Sequence, residues 1–433
     1  MREYKGLYIE SVTNMGAGAA VLSDGKDKGK RIFVWGAVDG DTVDVRLTKE
    51  HSSYAEGEIA RLVSPSPYRM SPDCEYFSQG CGGCMFRQMT YEHELDVKKG
   101  FVESAFRRER LNIEVGDTVP SAEMECSTRS KITVSVNEYG KSGYYLRATH
   151  KTLSCERCLL HSAELDEIRA YAAANAKNRG IDIQRLSIRE AERGISVTFE
   201  LRRESLDAGK LRKLGTDLTV RFPRVTCVYT MYTSGGREIY RHICGEEYIV
   251  DEMGGCEFMI SPGSFYQVNR KTACALYDLA ADFAALSDGE SVADLYCGTG
   301  TIGLYAARRL FERSGGRVKL TGAEVIPDAV ENAKANAERN GVPAEFYVMR
   351  AEEFDGAADI VFLDPPRSGC GSDLISHLCR VRPDRVVYVS CNPSTLARDV
   401  KAFCGGGYEV CRAVPIDMFP RTGHVETIVL MSR

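Results

Sequence analysis

The sequence predicts a multidomain α/β protein: a small N-terminal β-barrel, an α+β middle region and a C-terminal doubly wound sheet. Three observations predict this. Residues 1–63 alternate apolar and polar on a period of two. Residues 263–433 alternate strand and helix patterns, the signature of a largely parallel sheet with helices on both faces. Between them lies a strand-rich region that opens on closely spaced cysteines. At 433 residues the chain exceeds one ordinary core, so two or three domains are expected.

In the N-terminal part, GLYIESV, AAVLSDG, KRIFVWGAV, DTVDVRLT and EGEIARLV read as five short strands divided by Gly, Asp and Asn turns. Closing them into a barrel removes the exposed edges. SPSPYRMSPDC is a connector, and residues 64–262 are assigned to the middle domain. Its residues 90–111 predict an amphipathic helix with Leu95, Phe101, Val102 and Phe106 on its apolar side, expected to pack on the C-terminal domain. KITVSV, SGYYLRA, RLSIREA, GISVTFEL, RVTCVYTMY and REIYRHI read as strands, interrupted by a helix near 162–177. In the C-terminal part, SVADLYCG, VKLTGAEV, AEFYVMR, ADIVFLDPP, RVVYVSC, YEVCRAVPID and ETIVLMS are the strands.

Composition narrows the function classes. The chain is 43% hydrophobic and 27% charged, with no apolar run near the roughly 18 residues a membrane helix needs. MREYKGLYIE lacks a signal-peptide core. A cytoplasmic location is expected, where sixteen cysteines read as thiols, metal ligands or catalytic groups. A net charge of −5 argues against a general nucleic-acid coat. It leaves room for an enzyme with a local basic face, such as Arg129, Lys131, Lys141, Arg147 and Lys151 against Glu125 and Glu138. No obligate protein partner is evident, and a monomer is expected.

Four groups of residues carry chemistry. Gly298, Gly300 and Gly303 form a glycine-rich turn between the first C-terminal strand and its helix, where backbone can approach a ligand closely. Glu324 follows at the distance of an acid that binds ribose hydroxyls. A nicotinamide dinucleotide and S-adenosylmethionine (AdoMet) both carry such a ribose. Asp364, before Pro365 and Pro366, ends the fourth strand on the edge where ligands bind in open α/β sheets. Cys74, Cys81 and Cys84, with Cys155 or Cys158 far along the chain, make up a four-cysteine set open to zinc or a [4Fe-4S] cluster. Finally, VVYVSCNPST brings Cys391 to the end of a strand, and Glu426 opens the last one.

These segments together resemble the RNA uracil-C5 methyltransferases that act on 23S ribosomal RNA. The likeness covers nearly the whole chain. "SPYRMSPDCEYFSQGCGGCMFRQMTYEHELDVKK" resembles the family's iron–sulfur segment; "SFYQVN", "DLYCGTGTIGL", "LDPPRSGC", "YVSCNPSTLARD" and "DMFPRTGHVETIVLM" resemble its methyltransferase motifs. The resemblance implies an OB-like TRAM barrel at the N-terminus, for RNA binding, and a Rossmann-like AdoMet domain at the C-terminus. It implies a [4Fe-4S] cluster on Cys74, Cys81, Cys84 and Cys158, the last chosen because His150 stands eight residues before it. It implies AdoMet contacts from Gln267, Tyr296, Glu324 and Asp364, added to those of Gly298 and Gly300. It implies Cys391 as nucleophile toward uracil carbon 6 and Glu426 as the base at carbon 5. The target uridine is expected to be flipped from folded RNA, with Arg129, Lys131, Tyr144, Tyr145 and Arg147 as candidates for flanking nucleotides. Within the resemblance, the barrel and cysteine segment point to 23S rRNA rather than tRNA.

Overall fold

The computed structural model describes residues 2–23, 28–122, 127–204 and 207–433. The N-terminal strands are β1 (Glu3–Tyr8), β2 (Ser11–Val12), β3 (Ala17–Val21), β4 (Arg31–Trp35), β5 (Thr42–Glu50) and β6 (Tyr54–Ser64), hydrogen-bonded in the order β1-β5-β6-β4-β3-β2. Only Ile9 and Glu10 separate β1 from β2, yet these strands form opposite ends of that order. The sheet therefore curls back on itself. Ile9 N–H donates to the Asp41 carbonyl and Glu10 N–H to that of Ala19, both at 2.9 Å. The first expected strand, GLYIESV, is thus broken in two at the point of closure. Ile9, Ile32, Val34, Val43 and Val45 fill the interior and are fully buried.

The connector holds a short α1 (Glu75–Ser78) and the long α2 (Tyr91–Arg108). Thr90 caps α2, its hydroxyl accepting from His93 N–H at 3.4 Å. Val102 and Phe106 are buried as expected, but Leu95 and Phe101 are only partly so. Glu94 and Lys98, one helical turn apart, are as fully buried as Val102 and form an ion pair. A pattern that counts only apolar residues misses a face whose charges cancel.

The middle sheet contains β7 (Lys131–Val136), β8 (Ser142–Tyr145), β9 (Thr152–Ser154), β10 (Ile183–Ala191), β11 (Gly194–Leu201), β12 (Val225–Ser234) and β13 (Arg237–Gly245), in the order β13-β12-β11-β10-β7-β8-β9. Helix α3 (Ala163–Asn178) matches the expected one. A second helix, α4 (Ala208–Arg221), was not expected. Its signal lies in Leu211, Leu214 and Leu218, which fall on one helical face and are buried. It is the crossover that lets β11 and β12 run parallel; the other pairs are antiparallel.

A hairpin, β14 (Ile249–Met253) and β15 (Cys256–Ile260), precedes α5 (Arg270–Ala284). The predicted boundary at 262 places it in the middle domain. Its Met253, Phe258 and Ile260 pack in one core with α5 and the C-terminal sheet. The C-terminal elements are β16 (Ser291–Leu295), α6 (Thr301–Ser314), β17 (Lys319–Glu324), α7 (Pro327–Arg339), β18 (Ala344–Val348), β19 (Ile360–Leu363), α8 (Ser372–Val381), β20 (Arg385–Ser390), α9 (Pro393–Gly405), β21 (Glu409–Ile416) and β22 (Glu426–Ser432). Their order is β18-β17-β16-β19-β20-β22-β21. Strands β16 to β20 are parallel, but β22 runs against both its neighbours. A turn of nine residues joins β21 to β22, too short for a parallel crossover. Helix α2 packs on α9 and β21, and the chain after it hydrogen-bonds along β21 through Gly116 and Val119. Among the described residues no helix is long and apolar enough to cross a membrane.

Candidate active site

The order of the C-terminal sheet reverses between β16 and β19, and in open α/β sheets the ligand crevice lies at the carboxyl edge of such a switch point. The glycine turn follows β16. Tyr296 sits in it with a left-handed backbone (φ 62°), as do Gly298 (φ 55°) and Gly300 (φ 78°). For a tyrosine that conformation is strained and must be held by its surroundings; its phenol donates to Glu352 at 2.9 Å. Gly303 brings α6 onto the sheet, because a Cβ there would meet Asp294 Oδ2 at 2.8 Å. Glu324, at the end of β17, accepts from Gly298 N–H at 3.1 Å and from Ile326 N–H at 2.9 Å. The acid is thereby tied to the glycine turn. Gln267 is buried in the segment between β15 and α5.

Asp364 ends β19, Cys391 ends β20 and Glu426 opens β22. Because β22 is reversed, its first residue lies on the same edge as the last residues of β20 and β21. Ser390 pairs with Thr427, so Cys391 and Glu426 are the next residues opposite each other. Three groups meet in the crevice, and burial raises all of them. Asp364 is pushed up to about 7. Glu426, 5% exposed, is pushed up to about 8 by burial and then by Asp364, with Arg367 acting against them. The Cys391 thiol reaches about 11 through burial and then the charges of Glu426 and Asp364, while Arg367 lowers it by charge and hydrogen bond. Arg367 also faces the His424 ring, whose nitrogens are 3.4 and 3.5 Å away. Burial, with Arg367 next, lowers His424 to about 4.

The loop bearing Cys391 is locked to the one bearing Asp364. Asn392 Nδ2 and the Thr395 hydroxyl both donate to the Arg367 carbonyl, at 3.0 and 3.2 Å. Asn392 caps α9, accepting from Ser394 N–H at 3.1 Å, and Pro393 takes the first helical position. Arg398, on the next helix, turns to Asp399 at 2.8 Å and to the Ser368 carbonyl at 2.9 Å.

A second cavity, of about 460 Å³ and opening to solvent, is lined by Cys74, Cys81, Cys84, Cys155 and Cys158. Arg87 donates to Cys84 Sγ at 3.3 Å, and Arg169 donates to Cys155 Sγ at 3.5 Å. The thiols stand around the cavity: among the described residues no three His, Cys, Asp or Glu side chains gather as they would for a single metal ion.

Three comparisons bear on this arrangement. Residues 355–433 match the family model of tRNA (Uracil-5-)-methyltransferase, and residues 259–377 match that of the methyltransferase small domain. A protein named uncharacterized RNA methyltransferase in Bacillus cereus is 32% identical, over 100% of this chain and 97% of its own. One of the same name in Clostridium acetobutylicum is also 32% identical, over 99% and 96%. A crystal structure of Pyrococcus abyssi tRNA (uracil-54, C5)-methyltransferase with S-adenosyl-L-homocysteine superposes with a TM-score of 0.77 at 25% identity, covering 99% of this chain and 100% of that one. The chain belongs to the RNA uracil-C5 methyltransferases.

As a member of this family the protein is an AdoMet-dependent methyltransferase. One step of the sequence reading does not survive: a tRNA enzyme matches it over nearly the whole chain, so the barrel and cysteine segment do not argue against tRNA. Tyr144 lines the cysteine cavity and its hydroxyl meets His161 Nε2 at 3.0 Å. Arg129 lines the same cavity, and Arg147 lies over Trp35 and Phe77, 5.2 and 5.6 Å from their ring centres. Lys131 is half-buried, and burial lowers its ammonium to about 8. Tyr144 is half-buried in the wall of the cysteine cavity. Glu125 lies outside the described residues. The sequence reading gave no role to Asp294. That residue is buried, accepts from Gly303 N–H at 2.9 Å and is pushed up to about 7 by burial, with Oδ1 unpartnered among the described residues. An acid inside a buried strand was the available signal.

Proposed function

We propose that this methyltransferase moves the AdoMet methyl group to carbon 5 of a specific uridine in 23S rRNA, through a covalent bond to Cys391. The observation that carries the mechanism is the meeting of Cys391 and Glu426 across neighbouring antiparallel strands, with Asp364 beside them. Carbon 5 of uracil is a weak nucleophile, and covalent catalysis divides the difficulty. The Cys391 thiolate adds to carbon 6, and the displaced electron pair makes carbon 5 an enolate carbon. Carbon 5 attacks the methyl carbon in line, and the sulfur of the donor leaves with its bonding pair. Glu426 then takes the proton from carbon 5, the carbon 5–carbon 6 double bond re-forms, and the pair of the sulfur–carbon 6 bond returns to Cys391. A carboxyl raised toward neutral pH suits that base.

The methyl donor supplies an electrophilic carbon. Glu324 would accept from its ribose hydroxyls, the turn with Tyr296, Gly298 and Gly300 would admit its backbone-facing edge, and Gln267 and Asp364 would complete the contacts. Arg367, which opposes the raised thiol, would favour the thiolate.

The cysteine cavity fits a [4Fe-4S] cluster better than zinc. A cluster holds four thiolates around a cube, whereas zinc draws four ligands onto one point. Cys74, Cys81, Cys84 and Cys158 would hold it, the set that the resemblance implies, with Cys155 on the same cavity wall. It would cross-link the connector to the middle sheet, and no step of methyl transfer runs through it. The barrel is read as an OB-like TRAM module that grips RNA beside the flipped base, in a cytoplasmic monomer.

The motifs quoted from the sequence resemble those of the 23S rRNA enzymes, whereas the full-length likeness to a tRNA (uracil-54, C5)-methyltransferase supports tRNA as a second reading; the barrel and cysteine segment favour neither. Mapping 5-methyluridine in both RNAs from cells lacking this gene decides between them. Loss of a 23S site supports the first reading; loss from tRNA alone replaces it with the second.

A further inference from the structure

The turn from Asp417 to Val425 leads from β21 into Glu426, and its charged side chains are sealed against α2. Lys98 Nζ donates to Glu94 Oε1 at 2.7 Å, to Asp417 Oδ1 at 2.6 Å and to the Phe419 carbonyl at 3.1 Å. Tyr91 donates to Asp417 Oδ2 at 2.9 Å. Arg421 completes the set: its N–H donates to Glu94 Oε1 at 2.7 Å, and its guanidinium reaches Glu94 Oε2 at 3.3 Å and the Met89 carbonyl at 2.9 Å. Glu94, Lys98, Asp417 and Arg421 are each at most 1% exposed, and their formal charges sum to zero. Such a set is stable only while complete, since losing one member strands another's charge in the interior.

Arg421 also grips the cysteine segment. Its carbonyl accepts from Met85 N–H at 2.7 Å and from Phe86 N–H at 3.2 Å, and Met85 directly follows Cys84. Arg421 has a left-handed backbone, φ 66°, which a non-glycine residue adopts when its partners hold it there. The barrel closes the third side. A Cβ at Gly423 would collide with the Asn14 carbonyl, and one at Gly16 would meet Met85 Cβ at 2.8 Å. The turn that ends in Glu426 is therefore fixed by α2, the cysteine segment and the barrel together.

We propose that Arg421 is a positioning residue, holding the turn that carries Glu426 in register with the cysteine segment, so that a disturbance at Cys84 is felt at the carboxylate. This rests on the reading of Glu426 as the carbon 5 base. With the turn loosened, Cys391 can still add to carbon 6 and carbon 5 can still take the methyl. The carbon 5 proton then stays, the sulfur–carbon 6 bond persists, and methylated RNA remains attached to the protein.

The test compares wild type, Arg421→Met, Cys84→Ser and Glu426→Gln with AdoMet and substrate RNA, following release of methylated RNA, protein–RNA adduct on denaturing gels and AdoMet affinity. Arg421→Met and Cys84→Ser are expected to keep AdoMet affinity within about twofold. Both should release RNA about tenfold more slowly or worse, with adduct accumulating as in Glu426→Gln. Should Arg421→Met fail to fold, Arg421→Lys, which keeps the buried charge but cannot reach both Glu94 and the Met89 carbonyl, carries the same expectation. Release at the wild-type rate overturns the proposal, as does joint loss of adduct and AdoMet binding, which marks a purely structural role. Absence of adduct in Glu426→Gln alone removes the reading of Glu426 on which the proposal stands, a pattern distinct from failure of the clamp.

Discussion

Cys391 and Glu426 stand opposite one another because Ser390 of β20 pairs with Thr427 of the reversed strand β22. Each lies one residue beyond that pair, at the edge where the crevice opens. This register puts a thiol raised to about 11 beside a carboxyl raised to about 8. It sets the first two tests.

Cys391→Ala is expected to abolish methyl transfer while AdoMet binding, measured by calorimetry, stays within about twofold of wild type. The thiol belongs to β20 and its loop, whereas the proposed donor contacts come from the ends of β16, β17 and β19 and from Gln267 before α5. An active Cys391→Ala enzyme would rule out the covalent route.

Glu426→Gln should slow turnover by roughly 10²–10⁴-fold, the usual effect of losing a positioned base. RNA carrying 5-fluorouridine, which has no removable carbon 5 proton, should trap the wild-type enzyme in the same state. Full turnover by the Gln variant, measured as methylated RNA released, would show that another group takes the proton.

The reactivity of Cys391 should depend steeply on pH. The thiolate is the nucleophile, so with the thiol at about 11 its alkylation by iodoacetamide should rise about tenfold per unit between roughly pH 7 and 10. Arg367 lowers this thiol, so Arg367→Ala must move the rise to higher pH. Peptide mapping of the alkylated product reads the rate. A plateau below pH 8, or a shift the other way in the variant, contradicts the electrostatics of the crevice.

Glu324→Gln should weaken AdoMet binding about 10- to 100-fold, since a charge-assisted hydrogen bond contributes about 1.5–3 kcal/mol. The Gln also loosens the tie to Gly298 N–H, at 3.1 Å in the native protein. Unchanged affinity by calorimetry would remove Glu324 from the donor site.

Protein purified without oxygen should carry roughly four iron and four sulfide per chain if the cysteine cavity holds a cluster. Elemental analysis and acid-labile sulfide assay read this directly, and stoichiometric zinc in their place refutes the cluster.

Much of the C-terminal fold was legible because its strands and helices are long and differ in period, as in RVVYVSC against the helix after it. Helix α4 was passed over although Leu211, Leu214 and Leu218 mark its face, because strand patterns surround it. The buried side of α2 was hidden for another reason. Glu94 and Lys98 look like a solvated i,i+4 pair, and their partners Asp417 and Arg421 lie over 300 residues away. The reversal of β22 was not anticipated either. Periodicity reports that a segment is a strand but not which way it runs.

By itself the sequence determined most strands and helices of the C-terminal sheet, where the glycine turn falls, and which thiols and acids were worth testing. Those are local matters of spacing, turn chemistry and apolar period. Tertiary structure alone decided that Glu426 faces Cys391, that Arg367 and not Arg398 meets the thiol, and that five cysteines share one cavity. It also decided that a buried charge set ties α2 to the turn before Glu426. Each of these joins residues far apart in the chain. Their proximity, and the burial that moves their protonation, exist only once the core has excluded water.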